Sequence, residues 1–203
     1  NPLLNELHKV VASGRIGTLK FVEANFGFGS EFDPSHRLFS AELGGGTTLD
    51  QGVYTTTFVR WFANSPIKTQ DTSGALYPNG CDASAVTKFE FENGVIGVGS
   101  SMMNANVGTG ARLVGSLGVI EVRGSFWSPE DADITAPISW QGAPEPERLH
   151  VPKTGAGYSH MIEAVSAAIL SGKTECEEHP LSWSISNMEV LDEIRAQVAA
   201  KAS

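Results

Sequence analysis

Apolar residues open the chain at helical spacing: Leu3, Leu4, Leu7, Val10 and Val11 recur three and four apart, behind Pro2 and ahead of Gly14. This predicts an amphipathic helix over about residues 2–13, with proline in its first turn and glycine as its stop. From Thr18 to Phe28 the β-formers Leu19, Phe21, Val22 and Phe26 predict a strand, and an irregular stretch from Gly29 to Gly46 follows. That stretch is long for a connection, and long ordered loops in compact domains are often functional. Helical spacing returns over about residues 48–63 with Leu49, Val53, Tyr54, Phe58, Trp61 and Phe62.

Between Pro66 and Pro152 the pattern changes to strands. Phe89 and Phe91 alternate with Lys88, Glu90 and Glu92, then Asn93-Gly94 leads into Val95–Met103. Asn-Gly between such runs predicts a hairpin, because both turn residues tolerate positive φ. A second hairpin is predicted over Arg112–Val122 through Ser116-Leu117-Gly118, and further strands near Ile134–Trp140 and Arg148–Val151 flank the Pro-rich loop Gly142–Pro146. Two helices close the chain, one with Met161, Ile162, Val165 and Ile169 ending at Gly172, the other with Ile185, Met188, Leu191, Ile194 and Val198. Strands grouped between helices predict an α+β fold, with a meander-like antiparallel sheet.

The chain has 203 residues, enough for one domain with a core of its own. Against 14 Lys and Arg stand 23 Asp and Glu, a net charge of −9, which repels phosphate backbones and disfavours nucleic-acid binding. No apolar run approaches the roughly 20 residues of a membrane span, and no signal-peptide pattern opens the chain. Cys81 and Cys176 lie far apart without partner spacing, which suits a reducing compartment and a cytoplasmic location.

Phosphate-cradling motifs are missing. Gly27/Gly29, Gly97/Gly99, Gly108/Gly110 and Gly155/Gly157 are G-x-G pairs, but Phe32, Met102, Leu113 and His160 stand where a third glycine belongs, and there is no P-loop. His8, His36, His150, His160 and His179 are scattered without metal-ligand spacing, so no metal site is expected. His160 and Glu163 can share a helix face.

The most informative segment is Gly44-Gly45-Gly46-Thr47-Thr48-Leu49-Asp50-Gln51-Gly52-Val53-Tyr54. Its glycines let the backbone pass close to another surface, and Thr47 or Thr48 can cap the helix that begins there. Asp50 and Tyr54 then lie one helical turn apart, a carboxylate beside a phenol that can exchange a proton with a substrate hydroxyl. The same residues also fit structural roles, Asp50 complementing the helix dipole and Tyr54 packing beside Phe58 and Trp61. Spacing alone leaves both readings open.

This segment resembles the glycine-run, Leu-Asp-x-Gly-x-Tyr pattern of the Gfo/Idh/MocA C-terminal domain. Ser13-Gly14-Arg15-Ile16-Gly17, Val114–Val122 and Gly157-Tyr158 through Lys173, with Pro180 and Val190-Leu191, resemble three further stretches of that family in the same order. The resemblance implies a large, open, mostly antiparallel sheet flanked by helices, which carries substrate specificity and packs sheet to sheet in homo-oligomers. It implies a parent NAD(P)-dependent oxidoreductase of sugars, polyols or dihydrodiols, closest to the glucose-fructose oxidoreductase and dihydrodiol dehydrogenase branch. NAD or NADP would be bound mainly by an N-terminal Rossmann domain that residues 1–203 do not include. The start at Asn1, without methionine, reads as the cut edge of such a two-domain protein.

Carried over, Asp50 positions substrate or base and Tyr54 takes or donates the hydroxyl proton. Arg37, His36 and His160 are the expected substrate-contacting residues. The alternative, from another class, is a stand-alone binding or dimerisation module without dehydrogenase activity.

Overall fold

A computed structural model describes residues 1–202. Helix α1 spans Pro2–Ala12; the Asn1 side chain accepts from the Leu4 N–H at 3.2 Å, and Leu3, Leu4 and Leu7 are buried. Strand β1 (Leu19–Gly27) follows, and the 29–46 connection holds two short 3-10 turns, Arg37–Phe39 and Ala41–Leu43. The predicted helix over 48–63 divides in two, a π turn at Thr48–Gly52 and an α-helix, α2, at Val53–Ala63. Phe58, Val59 and Phe62 bury the core face of α2, and Asn64, at φ +45°, ends it.

Seven more strands run β2 (Ile67–Leu76), β3 (Asp82–Phe91), β4 (Ile96–Met102), β5 (Gly108–Gly115), β6 (Val119–Val122), β7 (Asp131–Thr135) and β8 (Glu147–His150). Helices α3 (Ser159–Leu170) and α4 (Leu181–Lys201) end the chain. The eight strands form one open sheet in the order β2-β3-β4-β1-β5-β6-β7-β8. Both predicted hairpins are present, β3/β4 and β5/β6. The expected antiparallel meander needs one correction. Strand β1 lies parallel to β4, with Phe21 opposite Ile96 and Gly27 opposite Met102, and separates the two hairpin systems. The helical crossover through α2 permits this parallel pair. Strand β7 also ends at Thr135, short of the predicted Trp140, just before the residue preceding Pro137.

Sheet alternation divides the strands between two faces. Val22, Ala24, Ala85, Phe89, Phe91, Ala111, Leu113, Ile120 and Ile134 enter one core with residues of α1, α2 and α4. The helices approach closely because β4 is glycine-rich: a Cβ at Gly97 would overlap Val59 of α2. Of the apolar positions in the last two helices, Leu191, Ile194 and Val198 of α4 are buried. Met161, Ile162, Val165 and Ile169 of α3, with Ile185 and Met188 of α4, are exposed instead.

Candidate functional site

The site is built where the glycine run meets the irregular loop and the start of β3. Gly45 runs against the Arg37–Ser40 backbone; a Cβ there would stand 2.6 Å from the Arg37 carbonyl oxygen and 2.7 Å from both the Leu38 carbonyl oxygen and the Ser40 nitrogen. Gly46, at φ +104°, faces the Asp82 carboxylate so closely that any Cβ would overlap it.

Asp82, 4% exposed, supplies the cap expected of Thr47 or Thr48: its Oδ2 accepts the Thr48 N–H at 2.6 Å. The threonines are turned to other uses. Thr47 Oγ1 donates to Gln51 Oε1 at 2.9 Å, and Thr48 Oγ1 is buried without a partner among the described residues. A carboxylate from β3 thus satisfies a donor that the opening of the helix leaves free. Spacing within the loop gave no sign of this, because the capping residue lies 34 positions downstream.

The loop that carries Arg37 is held by aromatic packing. Phe32 stacks on Tyr77 at 5.0 Å between centroids, and Phe39 meets both rings edge-on. The Phe39 carbonyl accepts from Asn79 Nδ2 and Cys81 Sγ. Burial pushes the Tyr77 phenol and the Cys81 thiol up from their ordinary pKa values. Ser35 donates its hydroxyl and its N–H to Asp33, which lowers that carboxyl below its usual value. His36 is used locally: its Nδ1 accepts the Leu38 N–H at 3.3 Å and caps the 3-10 turn.

Two of the expected site residues meet. Arg37 Nη2 donates to Asp50 Oδ1 at 3.3 Å, with the arginine side chain largely exposed and the aspartate mostly covered. The remaining guanidinium donors of Arg37 and the second oxygen of Asp50 are available to hydroxyls of a bound molecule. Tyr54, one turn further, is 38% exposed, and its hydroxyl has no hydrogen-bond partner among the described residues. Its ring rests on Phe26 of β1 (5.8 Å between centroids) and Trp127 (5.3 Å), which stack on each other at 4.4 Å. Phe28 adjoins Phe26 at 6.2 Å. This aromatic wall was not expected from the sequence; Tyr54 packs there rather than beside Phe58 and Trp61.

His160 is not joined to Asp50, Tyr54 or Arg37 by any hydrogen bond or ion pair among the described residues. Its Nε2 accepts the Thr154 N–H at 3.4 Å, and its Nδ1 lies 3.9 Å from Glu163 Oε2, so the predicted shared face exists. Its link to the site is indirect. Lys153 Nζ donates to the Ser128 carbonyl at 2.5 Å, and Gly157 packs on the Ser128 side chain, next to Trp127.

In each G-x-G pair at least one glycine is closed in by the protein itself, whereas Gly108 faces open space. A Cβ at Gly27 would stand 2.6 Å from Val107 Cγ2 and 2.7 Å from the Met102 carbonyl oxygen, and one at Gly110 3.1 Å from Asn25 Oδ1. At Gly97 and Gly157 the neighbours are Val59 and Ser128. Packing explains Gly27, Gly97, Gly110 and Gly157, and none of the four pairs carries the third glycine of a dinucleotide cradle. Among the described residues no group of three or more His, Cys, Asp or Glu is arranged to hold a metal ion, and no helix is long and apolar enough to cross a membrane.

Residues 4–121 match the family model for the GFO/IDH/MocA C-terminal domain. Trans-1,2-dihydrobenzene-1,2-diol dehydrogenase of Xenopus tropicalis is 27% identical over 198 residues, which cover 97% of this chain and 59% of the relative. D-xylose 1-dehydrogenase (NADP(+)) of Hypocrea jecorina is 27% identical over 224 residues, covering 97% of this chain and 56% of the relative. Among solved structures, a 3-ketoreductase from Actinomadura kijaniata in complex with NADP and TDP-benzene superposes with a TM-score of 0.78 at 20% identity, covering 98% of this chain and 59% of that one. An aldose-aldose oxidoreductase from Caulobacter crescentus complexed with glycerol gives 0.76 at 20% identity, covering 98% and 58%. The chain therefore spans about three-fifths of the length of the curated relatives it matches.

Proposed function

The chain belongs to the family of GFO/IDH/MocA C-terminal domains, and from that premise we propose that it is the substrate-binding and catalytic-tyrosine domain of an NAD(P)-dependent oxidoreductase acting on a sugar, polyol or dihydrodiol hydroxyl. One arrangement carries the reading: Tyr54 rests on an aromatic wall with its hydroxyl unengaged, one turn after an Asp50 already paired to Arg37.

In this account the aromatic faces of Phe26 and Trp127 receive the apolar side of a sugar ring or diol. Asp50 and Arg37 hold neighbouring hydroxyls, the carboxylate accepting and the guanidinium donating. Tyr54, handing its own phenolic proton on, takes the proton of the reacting hydroxyl as that carbon becomes a carbonyl, and NAD(P)+, when bound by the parent protein, would accept the hydride the carbon loses; the reverse direction returns both. His36 and His160 stand further out, His36 at the loop rim beside Arg37 and His160 behind the 153–157 segment. The names of the relatives, a diol dehydrogenase and a xylose dehydrogenase, support a vicinal hydroxyl as the reacting group.

The cofactor, NAD or NADP, belongs in this account to a nucleotide-binding domain outside residues 1–203, since one glycine of each G-x-G pair here is closed in by packing and no third glycine follows. A cytoplasmic setting fits Cys81 and Cys176, both free thiols. A homodimer through the sheet face is supported by the row Ile96, Phe21, Val114 and Val119, which are register neighbours across four central strands and turn their side chains away from the helices.

The test is an NADPH fluorescence titration of the chain and of the longer protein from its reading frame, followed by turnover assays with pentoses, hexoses and cyclic vicinal diols. Cofactor binding and turnover by the longer protein alone are expected. Tight NADPH binding by the 203-residue chain, or a longer protein inert toward every hydroxyl substrate, would count against the proposal.

A further inference from the structure

The two ends of α2 border different surfaces. Tyr54 lies in its first turn, at the candidate site, whereas Arg60, in its last turn, lines a cleft of about 320 Å³ between the end of α2, the start of β2 and α4. Arg60 is half-buried: its Nη1 donates to Asn187 Oδ1 at 2.8 Å, its Nη2 to Ser186 Oγ at 3.0 Å, and its guanidinium carbon stands 4.9 Å from the centre of the Trp183 ring. Both acceptors are neutral, and three of the five guanidinium N–H groups stay free of these bonds. Among the described residues no carboxylate lies within 4.0 Å of Arg60; burial lowers its pKa, and Glu189 opposes that from further off. Gln70 of β2 lines the same cleft, and its Nε2 is buried without a hydrogen-bond partner among the described residues. On the α4 side stand Glu189 and Glu193, both exposed and four residues apart. Glu193 Oε1 accepts from Gln197 Nε2 at 2.8 Å, whereas Glu189 makes no hydrogen bond among the described residues. Ile67 and Val190 add apolar surface.

We infer that this cleft binds a small zwitterion of the α-amino acid class with an aliphatic side chain, its carboxylate held by Arg60 and Gln70 and its ammonium by Glu189 and Glu193. The bonds to Asn187 and Ser186 explain why an arginine joins α2 to α4, but not why its spare donors share a cleft with an unsatisfied amide and two carboxylates. A simple anion entering here meets the two glutamates, and a simple cation meets the guanidinium. A neutral hydroxyl compound leaves the charges on both walls uncompensated. A ligand with separated charges satisfies both walls at once, and charge-assisted hydrogen bonds are the stronger kind. The volume lies at the small end of ligand sites, which suits a single amino acid, and Ile67 and Val190 offer its side chain apolar contact. The inference stands apart from the oxidoreductase reading, since no hydrogen bond or ion pair among the described residues joins Arg60, Gln70, Glu189 or Glu193 to Asp50, Tyr54 or Arg37.

The test is a titration of the nitrogen-15-labelled 203-residue chain with L-leucine, followed by NMR at the Gln70 side-chain amide, whose signal is assigned by its loss in Gln70→Ala. L-leucine is expected to shift that signal saturably, with a Kd of about 1 mM or tighter. Leucinamide lacks the carboxylate and isocaproate lacks the ammonium, so each should bind at least about tenfold more weakly. Arg60→Met should weaken L-leucine by at least about tenfold, and Glu189→Gln with Glu193→Gln by a similar factor. Should Arg60→Met fail to fold for want of its bonds to α4, the glutamate pair, both exposed, still reads the ammonium end. The absence of a saturable shift with L-leucine, equal affinity for leucinamide, or unchanged affinity in the double glutamine variant would each overturn the inference. Saturable shifts with xylitol and none with L-leucine would assign the cleft to neutral hydroxyl compounds and overturn the zwitterion.

Discussion

Removing the Asp82 carboxylate tests how the candidate site is held. Asp82→Ala deletes a charge-assisted hydrogen bond to the Thr48 N–H and leaves that buried donor without a partner. Hydrogen bonds to charged groups contribute about 1.5–3 kcal/mol, so the variant is expected to lose about 2–3 kcal/mol. At this chain length that corresponds to a fall in Tm of roughly 5–10 °C. Gly46→Ala provides the second arm. It forces a side chain into a left-handed backbone, at a cost of about 1–3 kcal/mol, and drives a Cβ into the same carboxylate. In the Asp82→Ala background that overlap is gone, so Gly46→Ala should cost about 1 kcal/mol less than in the wild type. Urea unfolding followed by circular dichroism on the four proteins of the cycle yields each value. A loss below about 0.5 kcal/mol for Asp82→Ala, or strict additivity of the two changes, would refute the assignment of Asp82 as the anchor.

Three further outcomes are expected. The imidazole of His8 packs against Trp61 and stacks on Phe62, with its Nε2 buried, and burial lowers its pKa from 6.5. The unfolded chain then takes up the proton first, so His8 contributes stability fully above about pH 6.5 and loses it as pH falls from there toward its folded pKa; urea midpoints at about pH 5 and about pH 7.5 should converge in His8→Phe. Asp133 is held below the usual carboxylate range first by its hydrogen bond with Arg123 and then by Arg148, so its contribution is present above about pH 4 and disappears as pH falls through the folded value. Carbon NMR titration should find its pKa raised in Arg123→Met. Gly97→Ala should cost about 1–3 kcal/mol in urea unfolding, because the added methyl overlaps Val59 and separates α2 from the sheet.

Local pattern carried much of the architecture. The Asn93-Gly94 turn and the alternation around Phe89 and Phe91 defined the β3/β4 hairpin, and the apolar spacing of α1 named its buried leucines. The order of the sheet was not legible in the same way. That β1 enters beside β4 follows from a crossover through α2, a long-range pairing that no local window encodes. Polarity pattern located α3 but not its orientation: the periodicity of Met161, Ile162, Val165 and Ile169 identifies a helix, but not whether its apolar stripe faces this core or another surface. At the site, the meeting of Asp50 with Arg37 could be anticipated only as loop proximity. The Asp82 cap and the Trp127 support arrive from distant strands and loops, and the doublet Phe126-Trp127 was the one local sign that aromatic packing would gather there.

In the proposed reaction Tyr54 exchanges the proton of the reacting hydroxyl. Its most direct test is the steady-state kinetics of Tyr54→Phe in the longer protein, with NADPH affinity and unfolding midpoint measured alongside. The ring, and hence its packing on Phe26 and Trp127, is retained in this variant, so cofactor affinity and stability should hold. In Tyr54→Phe kcat is expected to fall by about a hundredfold or more, the usual contribution of a positioned acid–base group. A kcat within about twofold of the wild type would contradict it.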